Sequence, residues 1–532
     1  LLLFSKKKIF HAFLRAAFKT RIRETNLTTT TINALLERGQ AGAPAIGAPD
    51  QQPLTHDQLK HLARRTGQQL NAMGIGRNDR VAIVLPNGPE MAAAFVTIAG
   101  AAATAPLNPA YKREEFDFYL SDLGTKALVV QASADSIARD AAKSLDIPVI
   151  ELAPTGDAAG DFSLHAAQPL SGMPAHPGPA EAGDVALVLH TSGTTARPKI
   201  VPLTQENVTA SAGNIAASLS LTAYDCCLNI MPLFHIHGLI AATLASLYAG
   251  GSVVCTPGFN AFRFFTWLEQ ARPSWYTAVP TMHQAILPLA GRNAATLRAA
   301  RLRFIRSSSA SLPPPVMLAL EEAFGVPVIE AYGMTEASHQ MTANPLPPRA
   351  RYAGSVGIAT GPAVAIMDPD GRILPPGAIG EVVIRGRNVT PGYENNPVAN
   401  AASFVNGWFR TGDQGVIDTD GYLRLTGRLK ELINRGGEKF SPLEVDAVLM
   451  DHPAVLQCLA FALPHEKLGE DVAAAVVLRD GEAATEHELR DFAAMRLAQF
   501  KVPRKIVFLS EIPKGATGKL QRIGLAQKLG LA

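Results

Sequence analysis

Residues 191–199 read Thr191-Ser192-Gly193-Thr194-Thr195-Ala196-Arg197-Pro198-Lys199. Four hydroxyls and a glycine in one short loop offer O–H and backbone N–H donors to phosphate oxygens, and Lys199 adds a positive charge. The stretch is not a Walker A loop, because the Gly-Lys-Ser/Thr ending is missing. Taken alone, it is also open to reading as a flexible polar linker. Four further glycine-punctuated polar stretches lie downstream. They are Glu330-Ala331-Tyr332-Gly333-Met334-Thr335-Glu336, Trp408-Phe409-Arg410-Thr411-Gly412-Asp413, the pair Gly427-Arg428-Leu429-Lys430-Glu431 and Asn434-Arg435-Gly436-Gly437-Glu438-Lys439, and Pro513-Lys514-Gly515-Ala516-Thr517-Gly518-Lys519.

Elements that hold such loops are visible around them. Residues 185–190 (VALVLH) form an apolar run that predicts a strand feeding directly into the 191–199 loop. Residues 80–85, 126–130, 149–152 and 326–329 are further predicted strands, and helix is expected from Glu90 onward. Alternation of this kind predicts an α/β fold, a parallel or mixed sheet with flanking helices. Residues 239–249 read as a buried helix that ends at Gly250-Gly251. After about Ile366 the strands become short and Gly/Asp turns dense, which predicts a β-rich subdomain. A small α+β tail is expected from Lys430.

Taken together, these signatures clearly resemble the adenylate-forming superfamily of acyl-CoA synthetases, luciferases and peptide-synthetase adenylation domains. The resemblance runs from about Asn33 to Arg522. It implies a large domain over 31–429, a small mobile C-terminal domain over 430–532, and ATP, Mg²⁺ and CoA as cofactor and co-substrates. Thr191, Ser192, Gly193, Thr194, Thr195 and Lys199 would then meet phosphates. Thr335 and Glu336 would stand beside the triphosphate, with Glu336 as the Mg²⁺ ligand, since this hard ion wants oxygen. Glu330, Ala331, Tyr332, Gly333 and Met334 would line the nucleotide, Tyr332 offering a flat face to adenine. Asp413 would accept the ribose hydroxyls, and Arg428 would touch ribose or phosphate. Lys430 would be the hinge, and Gly436 and Gly437 would let backbone approach the second substrate. Lys519 would stabilise the charge that builds as a carboxylate attacks the α-phosphorus.

The acid is addressed by other residues. Pro232-Leu233-Phe234-His235-Ile236-His237-Gly238 matches the segment that gates and lines the acid pocket in this superfamily, with His235 on the catalytic side. His237 stands where aryl and fatty acid ligases place an apolar residue. Arg306-Ser307-Ser308-Ser309-Ala310-Ser311 aligns near the acid and adenine, so Ser309, Ala310 and Ser311 are expected to bind nucleotide. Ser309, His237 and His339 are expected to bind the acid. Buried polar groups are costly beside a fatty tail, so a short, doubly charged acid suits them better. The wider sequence is most similar to the oxalate–CoA ligase family. Medium-chain or aromatic acids, a carrier-protein-loading role and a catalytically silent adenylate-binding protein are the rival readings. Intact Lys199, Glu336, Asp413, Arg428 and Lys519 argue against silence.

Composition sets the frame. The chain has 532 residues, of which 47% are apolar and 18% charged, so a large core is expected. A net charge of +3 gives no electrostatic case for nucleic acid or a membrane surface. Cys226, Cys227, Cys255 and Cys458 lack any C-x-x-C spacing and read as small buried hydrophobes in an intracellular, reducing setting. Residues 1–30 form a basic leader with Lys6, Lys7, Lys8, Arg15, Lys19, Arg21 and Arg23 before the first acid, Glu24. A frayed leader is the favoured reading, giving a cytoplasmic protein. An organellar transit peptide is the alternative. The ending at 529–532 is not a peroxisomal signal.

Overall fold

The computed structural model describes residues 29–132, 134–156, 158–191, 198–514 and 520–532. The expected contacts at Ser192, Gly193, Thr194, Thr195 and Lys519, and nearly all of the basic leader, lie outside the described residues.

Apolar runs of four to six residues cannot be amphipathic, so both faces of their strands must be covered. Val81, Ala82 and Ile83 in Arg80–Val84 are wholly buried, as are Ala127, Leu128 and Val129 next to them. Arg80–Val84 is the central strand of a seven-stranded sheet, parallel to Ala103–Pro106 and to Ala127–Gln131. Pro89–Ala99 follows it as a helix buried throughout its length except at Glu90, with Gly88 as its N-cap and Pro89 at the first position.

A second sheet of nine strands carries most of the residues expected to face the acid. Its centre is parallel: Cys226–Asn229, Trp275–Ala278, Phe304–Ser308 and Val328–Met334 lie side by side. His339–Ala343 then returns antiparallel to Val328–Met334. Parallel register sets Thr277 against Arg306 and Arg306 against Ile329. Residues far apart in sequence thereby reach one end of the sheet.

A five-stranded sheet contains Ile379–Arg385, Trp408–Ile417 and Leu423–Arg428. Another five-stranded sheet contains Ile433–Arg435, Glu438–Phe440, Val455–His465 and Gly469–Leu478. The chain passes from the first to the second across Leu429–Leu432, where Glu431 and Leu432 N–H groups both donate to the Arg428 carbonyl. Gly436 (φ 62°) and Gly437 (φ 99°) close the hairpin between Arg435 and Glu438. Two successive positive φ angles are what a two-residue hairpin of this twist requires, and glycine adopts them without a Cβ penalty.

Some expected boundaries move. Strand Val328–Met334 extends through most of the Glu330–Glu336 motif instead of ending before it. Trp408–Asp413 lies inside the strand Trp408–Ile417. The buried helix at 239–249 begins earlier, as a π-helical stretch His237–Leu244, and continues as Ala245–Tyr248. All four cysteines are free, and Cys227, Cys255 and Cys458 are buried. Among the described residues no helix is long and apolar enough to cross a membrane.

Candidate active site

The 191–199 loop is the connection between two antiparallel strands, Val185–His190 and Ile200–Thr204. Its neck is closed by a backbone bond from Thr191 to the Lys199 carbonyl, 2.9 Å, and by the Lys199 N–H donating to the Thr191 hydroxyl, 3.1 Å. Lys199 Nζ lies 4.3 Å from the centre of the Tyr393 ring. Tyr393 in turn donates its hydroxyl to Glu336 Oε1 at 2.8 Å. Glu336 sits on a short 3₁₀ turn, Thr335–Ala337, and its carbonyl accepts the Thr390 N–H at 2.7 Å. Burial lowers the Lys199 pKa, with Glu336 opposing and the nearby Lys430 charge reinforcing. Burial raises that of Glu336, against its own backbone N–H, the Tyr393 hydroxyl and the charges of Lys199 and Arg428. Lys199, Glu336 and Lys430 therefore share one electrostatic neighbourhood.

Asp413 forms a second cluster beside the first. Its carboxylate takes the Tyr332 hydroxyl at 2.5 Å and Arg428 Nε at 3.1 Å. Asp413 and Tyr332 are buried, whereas Arg428 is more than half exposed. Two residues expected to touch different parts of a nucleotide are thus joined to each other through Tyr332's hydroxyl. Glu330 is deeper. Its Oε1 accepts the Leu312 N–H at 2.9 Å, while Oε2 has no hydrogen-bond partner. That bond ties Glu330 to the backbone at Leu312. Ala310 and Ser311 are exposed at the sheet end, and Thr335, Met334 and Gly333 are half-buried.

Burial pushes the Glu330 carboxyl up to about 8 from an ordinary 4.5. The folded chain therefore keeps a proton that the unfolded chain releases above its lower pKa. That contribution to stability is full below about pH 4.5 and is lost as the pH rises toward 8, at roughly 1.4 kcal/mol per unit. Glu330→Gln keeps an acceptor for Leu312 and removes the titration. Its melting temperature should fall less steeply than that of the unmodified protein between pH 5 and 8, roughly the window just given. Superimposable profiles would show that Glu330 holds no such proton.

The residues expected to face the acid form a third cluster, and it is polar and buried. His237 is wholly buried, and its Nδ1 lies 3.0 Å from the Ser309 hydroxyl. Its Nε2 lies 2.6 Å from Thr277 Oγ1 and 3.2 Å from Arg306 Nη1. The His237 and His339 rings stand 4.9 Å apart. His235 is half-buried, and its Nδ1 accepts the His237 backbone N–H at 3.3 Å. Ser309 (φ 75°) and His339 (φ 103°) both adopt left-handed backbone conformations that non-glycine residues rarely take. Gly333 makes room for this: a Cβ there would come within 1.6 Å of the His339 carbonyl oxygen.

Arg306 is the residue that sequence reasoning passed over. It is wholly buried on strand Phe304–Ser308, with no carboxylate paired to it among the described residues. Burial lowers its pKa to about 9, so it remains a cation at neutral pH. A guanidinium inside a strand of otherwise apolar and small residues was the available signal. Buried charges are normally paired.

The profile of AMP-binding enzymes matches residues 34–394, and that of the AMP-binding enzyme C-terminal domain matches residues 444–519. The chain belongs to the AMP-binding, adenylate-forming enzyme family. Within it, the chain is an AMP-forming acid–CoA ligase. It is 46% identical to an oxalate–CoA ligase of Arabidopsis thaliana over 94% of this chain and 99% of that one. It is 43% identical to an oxalate–CoA ligase of Saccharomyces cerevisiae, over 85% and 87%. Its fold matches ATP-bound MatB from Rhodopseudomonas palustris with a TM-score of 0.83 at 28% identity, covering 94% of this chain and 99% of that one.

Ligases of this family use ATP, Mg²⁺ and CoA. Among the described residues no cluster of three or more His, Cys, Asp or Glu side chains could hold a metal. Glu336, whose charge acts on Lys199, still fits Mg²⁺, an ion that keeps several waters and takes its remaining ligands from phosphate.

Lys430 is exposed on the turn between the two five-stranded sheets, the place where a hinge would have to be. Proline at 430 fixes φ and would hinder rotation there. Lys430→Pro should retain acyl-adenylate formation while thioester formation fails in single-turnover assays. Thioester formation at the unmodified rate would remove Lys430 from the hinge.

Proposed function

We propose that the protein couples oxalate to coenzyme A, with ATP converted to AMP and diphosphate. The observation that carries this is the polar cluster of His237, Ser309 and His339, where a fatty or aromatic tail would need an apolar wall. Similarity to two oxalate–CoA ligases supports the same choice.

In the first half-reaction an oxalate oxygen attacks the α-phosphorus, a new O–P bond forms and diphosphate leaves. Lys199 and the 191–199 loop hold the phosphates, and Lys519 meets the charge developing on the attacked group. Asp413 and Arg428 hold the ribose, with Tyr332 beside the base. Glu336 would hold Mg²⁺, which when bound would supply positive charge against the triphosphate. The second carboxylate stays ionised and is held by donors from Ser309 and His339, each worth about 1.5–3 kcal/mol for a charged acceptor, while His237 holds Ser309 in place. In the second half-reaction the CoA thiolate attacks the acyl carbon and AMP departs. The Gly436-Gly437 turn admits the thiol arm, and rotation about Lys430 exchanges the two geometries of the site, with residues 31–429 and 430–532 as the moving bodies. Free, mostly buried cysteines support a reducing compartment, the cytoplasm first, with an organellar matrix as the alternative.

Incubation with oxalate, ATP, Mg²⁺ and CoA should yield AMP and a thioester of oxalyl mass. Without CoA, enzyme-bound oxalyl-AMP should accumulate to about one equivalent. AMP release without any dependence on oxalate would contradict the proposal.

A further inference from the structure

Arg306 is more than a buried charge. Nη1 reaches Thr277 Oγ1 at 3.3 Å and His237 Nε2 at 3.2 Å. Nη2 reaches Gln340 Oε1 at 2.9 Å and, at the limit of a hydrogen bond, His339 Nδ1 at 3.5 Å. Gln340 is turned correctly for this, because its amide nitrogen is engaged by the Ser218 and Thr360 hydroxyls at 2.9 and 3.0 Å. A guanidinium has donors only. Every group it touches must therefore present an acceptor to it, and that requirement passes along the chain. Nε2 of His237 is bare and receives from Arg306 or from the Thr277 hydroxyl. Its proton then sits on Nδ1 and is donated to the Ser309 oxygen, 3.0 Å away. The Ser309 hydroxyl keeps its own hydrogen for a further acceptor. By the same rule His339 carries its proton on Nε2.

We propose that Arg306 is a positioning and specificity-determining residue. It orients a one-way chain of donors, Arg306 to Thr277 to His237 to Ser309, and its positive charge, paired with no carboxylate among the described residues, favours an acid that brings a second negative charge. This rests on the reading of the acid pocket given above. A neutral residue in its place leaves both imidazoles free to adopt either tautomer. Ser309 then points its hydrogen back at His237 as readily as toward the acid. Arg306 acts here through its neighbours, so no reacting atom need touch it.

Two measurements on the full-length protein test this. The first is long-range ¹H–¹⁵N correlation of the ligand-free chain labelled at histidine nitrogen, with the His237 signals identified by their loss in His237→Asn. The unmodified protein should show His237 neutral with its proton on Nδ1, and Arg306→Met should show that preference lost. The second is acid kinetics. In Arg306→Met the ratio of kcat/KM for oxalate to that for acetate should fall roughly ten- to hundred-fold, as loss of charged hydrogen bonding predicts, with KM for oxalate rising and KM for ATP not following. Arg306→Lys keeps the charge without the fork. It should recover part of the oxalate preference and none of the tautomer preference, and it serves as the test if Arg306→Met does not fold. A His237 tautomer unchanged in a folded variant, or an unchanged oxalate-to-acetate ratio, overturns the proposal. If the unmodified protein shows no preference for oxalate, the acid assignment falls, while the tautomer comparison still decides whether Arg306 orients the chain.

Discussion

Alanine at Lys519 is expected to abolish acid-dependent diphosphate release and to spare CoA transfer from preformed acyl-AMP. Attack on the α-phosphorus concentrates negative charge on acid and phosphate oxygens, and a single ammonium placed there acts on the transition state more than on the ground state. Removing one such electrostatic partner in other enzymes costs about 10²–10³ in kcat, so at least that loss is expected in adenylation. Thiol attack on an acyl carbon builds charge elsewhere and needs no help from Lys519. The melting temperature of the variant, measured alongside, separates a catalytic loss from misfolding. Equal loss in both half-reactions would mean that Lys519 is structural or shared by the two steps.

The second large effect belongs to His237. Valine removes both ring nitrogens from the centre of the acid cluster. It breaks the link from Thr277 and Arg306 to Ser309 and leaves polar groups buried with fewer partners, at about 1–3 kcal/mol each. The kcat/KM for oxalate should fall by at least about 10²-fold on that scale, and the melting temperature should drop. ATP affinity should change far less, because the bonds that hold Lys199, Glu336 and Asp413 involve none of this cluster's residues. The enlarged apolar space also makes entry of a small apolar acid the expected gain. Retention of oxalate activity in His237→Val would remove the histidine from the acid pocket.

Much of this was legible before any fold was known, for a physical reason. Strand 185–190, the loop after it, the Gly436-Gly437 turn and the Glu330–Glu336 motif are local in sequence, and local chemistry reads directly. The acid cluster is not local. His237 comes from a π-helical stretch, Thr277 and Arg306 from neighbouring parallel strands, and His339 and Gln340 from the returning antiparallel strand. Only the register of the nine-stranded sheet brings them to one place. Strand continuation through the motif was not legible either: it lets Glu330, expected at the nucleotide, bond to the Leu312 backbone. The left-handed backbone at Ser309 and His339 had no marker, since neither residue is glycine. Gly333 answers to His339's carbonyl oxygen and not to its own φ.

Across oxalate, malonate, acetate, hexanoate and coumarate, kcat/KM for CoA-dependent AMP formation by the unmodified protein tests the assignment most directly. Two or three charge-assisted hydrogen bonds of about 1.5–3 kcal/mol each separate acids that fill the cluster from acids that do not by orders of magnitude. Oxalate should therefore stand highest, with malonate next and acetate, hexanoate and coumarate far below. If hexanoate or coumarate exceeds oxalate, the polar cluster is not the acid site, and the oxalate assignment is contradicted even though the chain remains an AMP-forming ligase.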